Sequence, residues 1–137
     1  MAGNASDFLE VNFRKHVFRT GSYAKPTALW VALWIGDPLD TGAGGAEVSG
    51  GAYARVQLDP GDANWSAPDG TGGVTANLVA LTFPAPTGAN WGTVTHFVVM
   101  DESFNHLVHA PLTSSQVIND GDPAPLFPVG TLIVTFS

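Results

Sequence analysis

Over SDFLEVNFRKHVFR (6–19) the apolar positions Leu9, Phe13 and Val17 recur every four residues, and Phe8 and Phe18 widen the stripe. That spacing predicts one short amphipathic helix. Ser6 or Asp7 can cap its first turn, Arg14, Lys15, His16 and Arg19 complement the dipole at its end, and Gly21 offers a stop. After it the period changes. TALWVALWIG (27–36) is apolar on both faces, with Leu29, Val31, Leu33 and Ile35 on one and Trp30, Ala32 and Trp34 on the other. A strand of that kind must be covered on both sides.

The segment 36–52, GDPLDTGAGGAEVSGGA, reads as a long, glycine-rich, mobile loop that is functional or gains order on binding. YARVQL (53–58) alternates cleanly, DPGDANWSAPDGTGG (59–73) is turn material, and VTANLVALTF (74–83) holds one or two strands. TVTHFVVMD (93–101), HLVHA (106–110) and TLIVTF (131–136) complete the set. Short strands with frequent turns predict a mainly β protein: an antiparallel, jelly-roll-like β-sandwich with one N-terminal helix. A chain of 137 residues with no composition break is expected to be one domain, 1–137.

Composition sharpens this picture. Only 12% of residues are charged, about half the usual share, which fits either a compact β protein or a subunit covered by partners. Without cysteine there are no disulfides and no thiolate chemistry. The start MAGNASDFLEVNF lacks the basic and apolar regions of a secretory signal, and the apolar run 28–35 is too short to span a bilayer. Arg14, Lys15, Arg19, Lys25 and Arg55 all lie in the first 55 residues; from Val56 onward there are seven acids and no Lys or Arg. Nucleic acid needs cationic side chains and is not an expected partner. The basic helix has the type of a membrane-surface element, but Asp7 and Glu10 interrupt its polar face and no membrane partner is expected.

The chemistry on offer is thin. His106 and His109 are three apart in a strand and would point to opposite faces, so they read as ordinary strand histidines. DPGD (59–62) and DGD (120–122) place carboxylates in turns without the spacing of a calcium loop. Ser49 lacks the flanking glycine pattern of a nucleophile elbow, and Asp101 and Glu102 are adjacent and diverge. No nucleophile–base–orienter set assembles, so an enzyme, a cofactor and a metal are not expected. Trp30 and Trp34 share a face, and with Trp65 they are the candidate contacts for a partner or a glycan. The simpler expectation is that the Trp30/Trp34 face packs under the phenylalanines of the helix.

The order of motifs resembles a family of small tailed-bacteriophage virion proteins, tail-fibre-like, some serving as capsid decoration (cement) proteins. Its pattern is a short helix, P-T-x-x-x-x-L, an x-D-P loop, E-V-S-G-G-x-Y-x-R, T-F-P followed by W-G-x-V-T-H, and a last P-x-G-x-L. Here these are Pro26, Thr27 and Leu33; Asp37 and Pro38; Glu47 through Arg55; Thr82, Phe83 and Pro84; Trp91, Gly92, Val94, Thr95 and His96; and Pro128, Gly130 and Leu132. Ala52 departs from the pattern where a third glycine is usual, which suggests a position with no need for a left-handed backbone.

The matched residues read as fold determinants: Glu47, Gly50, Gly51, Arg55, Trp91, Gly92 and His96. Gly50 and Gly51 permit the turn, Glu47 can pair with Arg55 across it, and Thr95 or His96 can bond a neighbouring loop. The resemblance implies a virion structural protein made in the host cytoplasm. It is expected to form a homotrimer and to dock on the major capsid protein or another virion protein. Capsid decoration is the favoured role, with a tail-fibre or tail-tip module, binding host carbohydrate, as the alternative.

Overall fold

The computed structural model describes residues 4–68 and 73–135. Residues 69–72 of the expected turn segment and the end of the last expected strand, 136–137, lie outside the described residues, as do residues 1–3 of the segment read for a secretory signal. The protein is mainly β, with antiparallel sheets and one short helix, α1 (Asp7–Phe18).

The main sheet is built on three long strands, β2 (Trp30–Ile35), β7 (Gly92–Met100) and β8 (His106–Ile118). β1 (Asn4–Ala5) adds to the outer edge of β8, while β3 (Ala46–Glu47) and β4 (Val56–Gln57) both pair with the free edge of β2. Two two-stranded ribbons lie apart from this sheet. One joins β5 (Thr75–Ala76) to β10 (Ile133–Val134), the other β6 (Leu81–Thr82) to β9 (Leu126–Phe127). The expected second sheet of the sandwich is therefore reduced to ribbons.

As the apolar pattern of 27–36 requires, both faces of β2 are covered. Val31 and Leu33 join Phe97, Val99, Val108 and Ala110 in the main core, closed by Leu81, Phe83, Trp91 and Leu132, with Phe127 packed against it. Ala32 and Trp34 join Val98 and Met100 on the opposite face. The ribbons are tied by Asn77, which is fully buried: its Oδ1 accepts from Leu132 N (2.9 Å) and its Nδ2 donates to the carbonyls of Val79 (2.9 Å) and Pro128 (3.1 Å). Every polar atom of that amide has a partner, as burial demands.

The helix starts as its sequence predicts and ends differently. Ser6 caps it, accepting from Leu9 N at 3.2 Å while its hydroxyl donates to the carbonyl of His106. It stops at Arg19, whose backbone is extended, so no left-handed glycine ends it. Leu9 packs against the main core, but Phe13 and Val17, on the same stripe, are exposed. The Trp30/Trp34 face lies elsewhere, so the expected helix-over-tryptophan packing does not occur.

Candidate functional site

The two most distinctive motifs meet in space. β3 and β4 are halves of one strand interrupted at residues 48–55, and the interruption leaves the edge of β2 without a full ladder opposite Leu33. Two groups repair it. The Leu33 carbonyl accepts from Val48 N at 3.0 Å, and the Leu33 N–H donates to the Tyr53 hydroxyl at 2.9 Å. That hydroxyl donates in turn to Glu47 Oε1 at 3.0 Å. Arg55 grips the same carboxylate with both prongs, Nε to Oε1 at 2.8 Å and a terminal nitrogen to Oε2 at 2.7 Å. A bidentate fork of this kind fixes orientation as well as charge.

Electrostatics follow from the geometry. Burial pushes the Tyr53 phenol well above its usual range, and the Glu47 charge adds to the effect. The phenol therefore keeps its proton and bridges as donor and acceptor together. The hydrogen bond to Glu47 raises Arg55 in the same way. The outer face of the guanidinium sits 4.3 Å from the centre of the Phe104 ring, a cation–π contact.

Behind this network lies the second motif. Trp91 is buried, donates from Nε1 to the Gly51 carbonyl at 2.7 Å and meets the Tyr53 ring edge-on at 5.2 Å. Gly50 and Gly51 are needed because this approach is so close, and neither has a positive φ. A Cβ on Gly50 would lie 2.4 Å from the Asn90 carbonyl oxygen, and one on Gly51 would lie 2.1 Å from that of Thr87. The left-handed residue of the turn is Ala52, with φ 61°. This corrects the expectation from its departure from the family pattern: the position does need a left-handed backbone, and alanine adopts it at a cost. Gly92 is also left-handed, at φ 94°, where β7 begins.

At the bulge between Val94 and His96, Thr95 turns its hydroxyl to the glycine-rich loop and accepts from Gly36 N at 2.8 Å. His96 Nδ1 lies 2.8 Å from the same hydroxyl. The loop is packed, not free. It covers the second face of the sheet, where Trp34 Nε1 donates to the Gly44 carbonyl at 2.9 Å and Asp40 lies 3.0 Å from His109 Nε2. A second register shift, between Val99 and Met100, puts His106 and His109 on one face, against the expectation of opposite faces. His106 meets Trp34 edge-on at 5.0 Å, and a Cβ on Gly42 would come within 2.9 Å of its Nδ1. Among the described residues no histidine–carboxylate group is arranged to hold a metal ion.

Three further carboxylates cap turns. Asp101 accepts from Ser103 N, Asn105 N and Asn105 Nδ2, Asp120 from Gly88 N, and Asp122 from Asn119 N. Of the candidate contact tryptophans, Trp34 is buried beneath the loop and offers no face. Trp65 is half-buried, bonded to the Leu58 carbonyl and set in a groove of about 710 Å³ with Leu29 and Val134. Trp30 is half-buried beside Phe104. Tyr53 lies in the matched Glu47–Arg55 motif and Asn77 in the 74–83 segment, but the sequence did not mark either as a bridge between strands.

A mainly β chain whose distinctive residues hold its own strands together has the character of a structural building block. The family model described as "Podophage GP4 fiber I protein gp80" matches residues 4–135. The chain belongs to that family of tailed-phage fibre proteins and is a structural protein of the phage virion. No curated protein matches it.

Proposed function

We propose that the chain is a non-catalytic module of a virion fibre and works through surface contacts instead of chemistry. The observation that carries this reading is where the motif residues point. Glu47, Tyr53, Arg55 and Trp91 bond one another, Leu33 and Gly51, which leaves no activated nucleophile or base among them. The matched family's description, a fibre protein, supports a fibre location.

The test is a nonsense mutation in the phage gene, with particles purified from a non-suppressing host. Full heads of unchanged heat stability that lack a fibre are expected. Heads that leak DNA on mild heating would replace this reading with the decoration role.

A further inference from the structure

The apolar stripe of α1 is longer than the surface that receives it. Leu9 sits against the core, yet Phe13 is 58% exposed, Val17 51% and Phe18 77%. No residue of the helix is fully buried, although a helix normally gains most of its stability from a covered apolar face. A protruding patch of this type marks a contact with another surface. Charge indicates which one. Arg14, Lys15 and Arg19 surround the free half of the stripe, and Lys25 follows on the return segment. The chain from Val56 onward carries seven acids and no Lys or Arg. The rest of a second copy is therefore the complementary partner.

Two free helix halves packed on each other would bring like charges together. The acids that could relieve them, Asp7 and Glu10, lie in the first turn, at the far end of the helix from Phe18, and Glu10 faces Arg14 of its own helix at 3.7 Å. The contact is then heterologous, helix of one copy on body of the next, and such contacts close into rings when the rotation permits.

We infer that the Phe13–Phe18 half of α1 is an intermolecular anchor that docks on the acidic body, residues 56–68 and 73–135, of a neighbouring copy. The inference adds the self-contact to the structural role proposed above and rests on that reading; it is tested in solution, so its failure leaves the virion location untouched. The purified full chain is run by light scattering at 50 mM and 500 mM salt, beside Phe13→Ser/Val17→Ser/Phe18→Ser. The wild type is expected to be oligomeric and to weaken at least tenfold in the higher salt. The triple variant is expected to be monomeric with an unchanged circular dichroism spectrum.

Because the triple variant could lose its helix, a photo-crosslinker is placed at Phe18 alone in a mixture of isotope-labelled and unlabelled chains. Crosslinks into residues 56–135 of the other copy support the anchor. Helix-to-helix crosslinks, or a monomeric wild type at 100 μM, overturn it. Vesicles containing phosphatidylglycerol form the third arm: a monomer that sediments with them through Phe18 would assign the stripe to a lipid surface and overturn the self-contact.

Discussion

Replacing Tyr53 with Phe removes one oxygen and leaves the ring in place, edge-on to Trp91 at 5.2 Å and stacked near Phe83 at 6.3 Å. What changes is the edge of β2. The Leu33 N–H, in a residue only 3% exposed, loses its acceptor at 2.9 Å, and an unsatisfied buried amide costs about 1–3 kcal/mol. Glu47 loses one donor but keeps both from Arg55, so its share is small. The sum is about 2 kcal/mol, which for a chain of this size lowers Tm by roughly 6 °C.

Thermal and urea denaturation followed by circular dichroism at pH 7.5 measure the loss, and amide exchange at Leu33 reports where it arises. That amide should exchange faster in Tyr53→Phe, while the amides of Val98 and Val99 slow or quicken only with global stability. The double variant with Glu47→Gln should lose less than the sum of the two singles, since both break one network. A Tm within 1 °C of wild type, or strict additivity, would refute the claim that the phenol stands in for a missing strand residue.

The same framework yields further outcomes. Arg55→Ala should lose about 1–2 kcal/mol in urea titration, and Arg55→Lys should recover only part of it because one ammonium cannot hold both oxygens of Glu47; full recovery by lysine would argue for simple charge. Ala52→Gly should gain about 0.5–1 kcal/mol and raise Tm by relieving the left-handed φ of 61°, whereas a loss would mean the alanine methyl packs. Asn77→Ala should cost about 3 kcal/mol by stranding Leu132 N and the Val79 carbonyl, and a near-neutral result would show that water enters there.

Acid should also destabilise the fold. Burial lowers His96 and His106 below the ordinary value of 6.5, with Asp37 opposing and His109 aiding at His96, and His109 aiding while Glu47 opposes at His106. The unfolded chain then binds protons more readily, so this contribution is complete above about pH 6.5 and falls as the pH drops through the folded values. Tm at pH 5.5 should lie below that at pH 7.5, by less in His106→Leu; an equal or higher Tm in acid would reject the reasoning.

The parts of the fold set by local pattern were readable in the sequence. The two-faced apolar run of 27–36 became the central strand β2, and the period-four stripe from Leu9 became α1. The pairing of β3 and β4 around a gap was hidden, because Val48–Arg55 departs from the strand and returns to it through side-chain bonds that no periodicity encodes. β8 runs on to Ile118 through Pro111, past the polar TSSQ where alternation fades. Three of the four ribbon strands fall inside segments read as strands, 74–83 and 131–136, but their shortness and β9 (Leu126–Phe127) were not readable, because two-residue strands held by Asn77 rest on tertiary contacts, not propensity.

The candidate site divided along the same line. Glu47, Gly50, Gly51, Arg55, Trp91 and Gly92 could be located as a set, but not that Trp91 caps Gly51 or that Ala52 carries the strained φ. The mismatch over the helix is of another kind. Its stripe promises a covered face, and the single chain half-covers only the first turn, Leu9 against the core and Phe8 against Tyr23.

Immunogold labelling of intact virions with an antibody to this chain separates a fibre from the capsid shell. Gold confined to a fibre is the expected result. Gold spread evenly over the head would contradict the fibre assignment and make the protein a component of the capsid shell.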